Sequence, residues 1–105
     1  MADDEALLYL LLTNDRGDDP VAVPGPEGYV HCCTAAQVDY VLEHFFSGCD
    51  TVVVLGLSAA VLGDAVVSEP GALGEAEHFP HCYGPIPRAA VCSVTTRKRR
   101  AGGRW

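Results

Sequence analysis

A chain of 105 residues, 49% of them hydrophobic, can bury one modest core and has no room for a second domain. No apolar run approaches the roughly eighteen residues of a membrane span, and the acidic start Met1-Ala2-Asp3-Asp4-Glu5 is unlike a secretory leader, so a cytoplasmic protein with no membrane partner is expected. The net charge of −7 conceals an asymmetry: residues 1–96 hold two arginines against fourteen acidic side chains, a balance of −12 that repels nucleic acid.

In chain order, Ala6 to Leu12 is a continuous apolar run of buried-strand length. Residues 13–28, dense in Asp, Gly and Pro, read as a loop. Tyr29 to Cys33 reads as a short second strand. Thr34 with Gln37 three residues on is a capping-box pattern at the start of a helix over about Ala35–Phe46, with Val38, Val41, Leu42, Phe45 and Phe46 on its apolar face and Gly48 as its stop. Thr51 to Leu57 is the expected central strand. Ser58 then caps one turn ending at Gly63. A short strand is expected at Ala65–Ser68, a loop up to Pro87, and a closing strand at Ala89–Thr95. The basic, Gly-bearing segment Arg97–Trp105 is expected to be a disordered tail outside a single domain of residues 1–96. The fold class is α+β, a mixed or antiparallel sheet with one main amphipathic helix.

Five cysteines, two of them adjacent at Cys32 and Cys33, make a poor disulfide framework and are read as reduced, mostly buried thiols. The side chains best suited to proton transfer are His31, at a strand end beside a helix amino terminus, and His81, in a segment stiffened by Pro80, Pro85 and Pro87. His44 is read as a solvated group on the polar face of the helix. Glu69, at a strand end, is the first choice of carboxylate to orient a histidine, and Tyr83 is a candidate donor. Two alternatives stay open: a Cys33 thiolate favoured by the helix amino terminus, and packing roles for both histidines. The spacing of His31, Cys32, Cys33, His78, His81 and Cys82 fits no standard zinc pattern, so no metal is expected.

Three stretches in order carry a resemblance: Glu27 to Gln37 (EGYVHCCTAAQ), Phe45-Phe46-Ser47-Gly48, and Phe79 to Pro87 (FPHCYGPIP). Over roughly residues 27–95 the chain resembles the bacterial family catalogued as domain of unknown function 952. The resemblance implies a fold similar to the ADP-ribosyltransferase superfamily, a split sheet around a ligand cleft. It places the motif histidines on His31 and His81, the motif tyrosine on Tyr83 and the acidic residue on Glu69. Leu10, the missing helix before Tyr29, and Cys33 in place of a serine depart from the family pattern. On this reading Tyr29, Cys33, Thr34, Gln37, Phe79 and Tyr9 contact ligand.

The function expected is a cofactor-independent enzyme in which His31 and His81 share acid and base duties on a small, largely apolar organic molecule, with Tyr83 or Thr34 donating to an oxygen. The reaction would be a cyclisation, isomerisation, elimination or hydrolysis, with specialised metabolism as the expected setting. An NAD-dependent ADP-ribosyl transferase or NAD-binding module is the second reading. A non-catalytic binding domain is the third.

Overall fold

The computed structural model describes residues 6–71, 76–100 and 102–105. Six strands and two helices follow in the order β1 (Leu7–Leu12), β2 (Val30–His31), α1 (Val38–Phe45), β3 (Thr51–Ser58), α2 (Ala59–Leu62), β4 (Val66–Pro70), β5 (His78–Cys82) and β6 (Val91–Lys98). The class is α+β. The strands divide into two antiparallel three-stranded sheets, β1-β3-β6 and β2-β5-β4. Among the described residues no helix is long and apolar enough to cross a membrane.

The Val-rich segment Val52–Leu57 becomes the centre of the first sheet because its side chains are apolar on both faces. Gly56 leaves room for its strand partner: a Cβ there would meet the Ser93 hydroxyl across the strand pair and force that side chain to turn away. The sheet separates two apolar clusters. Leu10, Val30, Cys32, Leu55, Leu57, Cys82 and Ile86 pack on one side, and Leu11, Cys33, Val38, Leu42, Val52, Val54 and Phe79 on the other, under α1. Leu42 and Leu55 are fully buried, and burial of a leucine contributes about 1.5–3 kcal/mol.

A bridge between Tyr9 and Cys33 joins the sheets, with Tyr9 N donating to Cys33 O at 2.8 Å and Cys33 N to Tyr9 O at 2.9 Å. Residues 13–28 hold no strand but are pinned. Arg88 binds the Asp15 carboxylate through two nitrogens, at 2.8 and 3.1 Å, and Ala22 bridges Ile86.

Three expectations are corrected. The segment assigned as loop up to Pro87 contains β5, the centre of the second sheet. Pro80 is tolerated because its carbonyl accepts from Cys32 N at 3.0 Å; having no N–H to return the bond, it ends the β2 ladder at His31. Second, the helix begins with a tight turn over Ala35–Gln37 before α1, and the second strand, expected over Tyr29–Cys33, spans only Val30–His31, with Cys33 bridging Tyr9 beyond it. Third, residues 97–105 are not a loose tail where described. β6 runs to Lys98, and the Arg99 guanidinium stacks 4.4 Å over the Trp105 ring while donating to the carbonyls of Phe46, Ser47 and Cys49 just past the end of α1. Those carbonyls give the tail a docking point that a composition-based reading does not see.

Candidate functional site

Side chains alternate across a strand. That period sends Tyr9 and Leu11 of β1, His31 and Cys33 at β2, and Phe79 and His81 of β5 to the same side. There they enclose, with Cys32, Gly71 and with Val41, Phe45 and Phe46 from the α1 side, a cavity of about 310 Å³.

His31 and His81 are directly opposed across the β2–β5 pair, and their rings meet edge to face at 5.4 Å. Each imidazole has one nitrogen tied to a carboxylate. His81, whose side chain is 2% exposed, lies 2.7 Å from Glu69 Oε2 through Nδ1. Glu69 is two residues beyond Val67, the β4 partner of His81, so the strand period brings it to the same face. The Tyr83 hydroxyl donates to the same oxygen. These two donors hold the Glu69 carboxyl below its usual range, the Tyr83 bond contributing most, and the same bond pushes the Tyr83 phenol up to about 12. A charged Glu69 can only accept, so His81 Nδ1 is the donor in that bond, and the His81 ring lines the cavity.

The second pair is open to water. His31, 50% exposed, lies 2.9 Å from Glu27 Oε2 through Nε2. Gly28, at φ +92°, makes the turn that returns Glu27 over the strand. The His31 bond lowers the Glu27 carboxyl, so by the same reasoning His31 Nε2 is the donor. Tyr29 stacks on the His81 ring, centroids 4.0 Å apart and planes 14° off parallel, and lies 5.2 Å from the Tyr83 ring.

A family model described as "Protein of unknown function (DUF952)" matches residues 14–94. The chain belongs to that family. Its fold is similar to the crystal structure of protein CC0527 from Caulobacter crescentus, at 23% identity and a TM-score of 0.74, covering 93% of this chain and 91% of that one. A double-methionine variant of CC0527 matches at 22% identity with a TM-score of 0.73 and the same coverage. No curated protein matches.

The structure brings together His31, His81, Cys33, Phe79 and Tyr9 on the cavity. It sets Glu69 and Tyr83 behind His81, away from the lining. Tyr29, expected to contact ligand, instead covers the His81 ring. Thr34 and Gln37 do not reach the cavity either. Gln37 Oε1 accepts from Thr34 N at 2.9 Å, and its amide donates to Glu77 Oε2 and His78 O, both at 2.8 Å, fastening the start of the helix to β5.

His31 faces His81 and Glu27 rather than the helix amino terminus. The setting disfavours a Cys33 thiolate: the side chain is buried, which pushes its thiol up to about 12, and Cys32 likewise. As expected, His44 is exposed, and it stacks on Tyr40 away from the cavity. Sequence reasoning assigned no role to Glu27. The available signal was its spacing four residues before His31 across a glycine.

Proposed function

We propose that the protein is a cofactor-independent acid–base enzyme acting on a small, largely apolar organic molecule, with His81 as the general base and His31 as the partner that exchanges protons with water. The observation that carries this reading is the buried imidazole: His81 Nδ1 is fixed on Glu69 and the ring lines a mostly apolar cavity. A carboxylate on Nδ1 selects the tautomer whose Nε2 can accept and stabilises the imidazolium that forms. Tyr83 already donates to Glu69 and Thr34 lies elsewhere, so Tyr9 is the hydroxyl-bearing side chain available to a substrate oxygen.

The division into two three-stranded sheets with a cleft at their seam supports, within this proposal, kinship with the ADP-ribosyltransferase-like folds. An NAD function is disfavoured, because the described residues lining the cavity include no lysine or arginine to meet a pyrophosphate.

The test is the ring opening of nitrobenzisoxazole, an uncharged bicycle. A base removes its one labile C–H proton, the N–O bond breaks, and a cyanophenolate leaves. Wild type should exceed the same concentration of free imidazole, and His81→Leu should lower the rate by ~10²-fold or more, the lower end of general-base contributions. Equal rates for wild type and His81→Leu would overturn the proposal.

A further inference from the structure

Resting on that reading of the cavity as the ligand site, we infer that the substrate is an uncharged aromatic molecule and that Glu27, bonded to the cavity-lining His31, acts as a charge filter against anionic analogues. Three observations carry this further than apolarity alone.

The first is the wall chemistry: Tyr9, Phe45, Phe46 and Phe79 supply four aromatic rings to a space of about 310 Å³. That volume lies at the low end of small-molecule sites. Phe45 is 49% exposed although it lines the cavity, leaving an aromatic surface that a planar ligand would cover.

The second is the placement of cations. Of the seven basic residues, five lie at or beyond residue 97. Arg97 binds Asp39, Arg99 is held by the carbonyls after α1, and Arg88 by Asp15. No lysine or arginine lines the cavity among the described residues, and the residues between Gly71 and Ala76 contain none.

The third is the pairing of both imidazoles. A protonated imidazole could attract an anion, but the charge of each ring would be matched by its own carboxylate, His31 by Glu27 and His81 by Glu69. The site therefore offers an anion no unmatched positive charge. Where the His31 ring is neutral, Glu27, 41% exposed at its side chain and 2.9 Å from that cavity-lining ring, adds an unbalanced negative charge beside the cavity. Acting across several ångströms of partly aqueous space, one such carboxylate changes an anion's affinity by about two- to fivefold, and salt weakens the effect.

Three naphthalene probes that differ only in the substituent at one ring position separate shape from charge: naphthylmethanol, naphthoate and naphthylmethylammonium. In low salt, wild type should bind the alcohol at least about tenfold more tightly than the carboxylate, and Glu27→Gln should narrow that gap about two- to fivefold by improving naphthoate binding while leaving the alcohol unchanged. Naphthoate binding as tightly as the alcohol, a gap unaltered by Glu27→Gln, or no binding of any probe would overturn the inference. Tighter binding of the ammonium probe than of the alcohol would overturn the uncharged class in favour of a cationic one. Ring opening of nitrobenzisoxazole reads the acid–base proposal separately. Selectivity without His81-dependent catalysis removes that proposal and leaves the filter, and catalysis without selectivity does the reverse.

Discussion

The two histidine–carboxylate pairs stand one strand apart and are built from the same parts, yet they do different work. In the Glu69–His81 pair the imidazole is buried, roofed by Tyr29, and its carboxylate accepts a second bond from Tyr83. In the Glu27–His31 pair both side chains are roughly half in water, with one bond between them. A buried polar group must have its partners supplied by the fold, whereas an exposed one can fall back on solvent. The inner pair is therefore preorganised, and the outer pair can trade protons with bulk water.

The largest effect should come from His81→Ala set against His31→Ala. Removing the inner ring leaves a hole under Tyr29 and takes a donor from Glu69, so a loss of about 2–4 kcal/mol is expected, enough to lower the melting temperature by roughly 10–20 °C. His31→Ala should leave the melting temperature within about 3 °C of wild type. Thermal unfolding followed by circular dichroism measures both. Equal shifts would erase the distinction between inner and outer pair. Because alanine at 81 perturbs packing as well as chemistry, the bulkier leucine is the better catalytic control.

A smaller contrast lies in the carboxylates. Glu69→Gln removes the anion that fixes the His81 tautomer and should slow nitrobenzisoxazole opening by ~10-fold or more, without exceeding the loss from His81→Leu. Glu27→Gln should slow it less than Glu69→Gln, since the outer ring is not held in place by burial. If the two variants are slowed equally, the roles assigned to the two rings are wrong.

How much of this was legible in the sequence depends on whether the determining contacts were local. The apolar run from Ala6 to Leu12, the Val-rich run from Thr51 and the Ser58 cap report their own structure, because burial and capping are written in neighbouring residues. β5 was hidden because Pro80 argues against a central strand, and only the Cys32 N to Pro80 O bond from a distant segment shows how the proline is accommodated. Arg99 on Trp105 was hidden for the same reason. At the site, the two histidines stood out as residue types in unusual settings. Their direct opposition and the positions of Tyr29, Glu27 and Gln37 required the register of β2 on β5.

The smallest expected effect is the response of stability to acid, and it sharpens the same comparison. The Glu69 and Glu27 carboxyls both sit below their ordinary value of 4.5 in the folded protein, Glu69 through two side-chain donors and Glu27 through one. An acid whose folded pKa is depressed contributes stability that is fully present above the unfolded value and is lost as pH falls through the folded value. Wild type should therefore weaken as pH drops below about 4.5, and Glu69→Gln should flatten that fall more than Glu27→Gln. Urea midpoints measured from pH 6 down to pH 3 report the slopes. Asp15, lowered to about 2 mainly by its bond to Arg88, loses stability in the same direction, so the wild-type slope alone decides nothing. The difference between the two variants does: Asp15 is common to both, and parallel profiles would mean that the buried imidazole and the Tyr83 bond give Glu69 no advantage over its exposed counterpart.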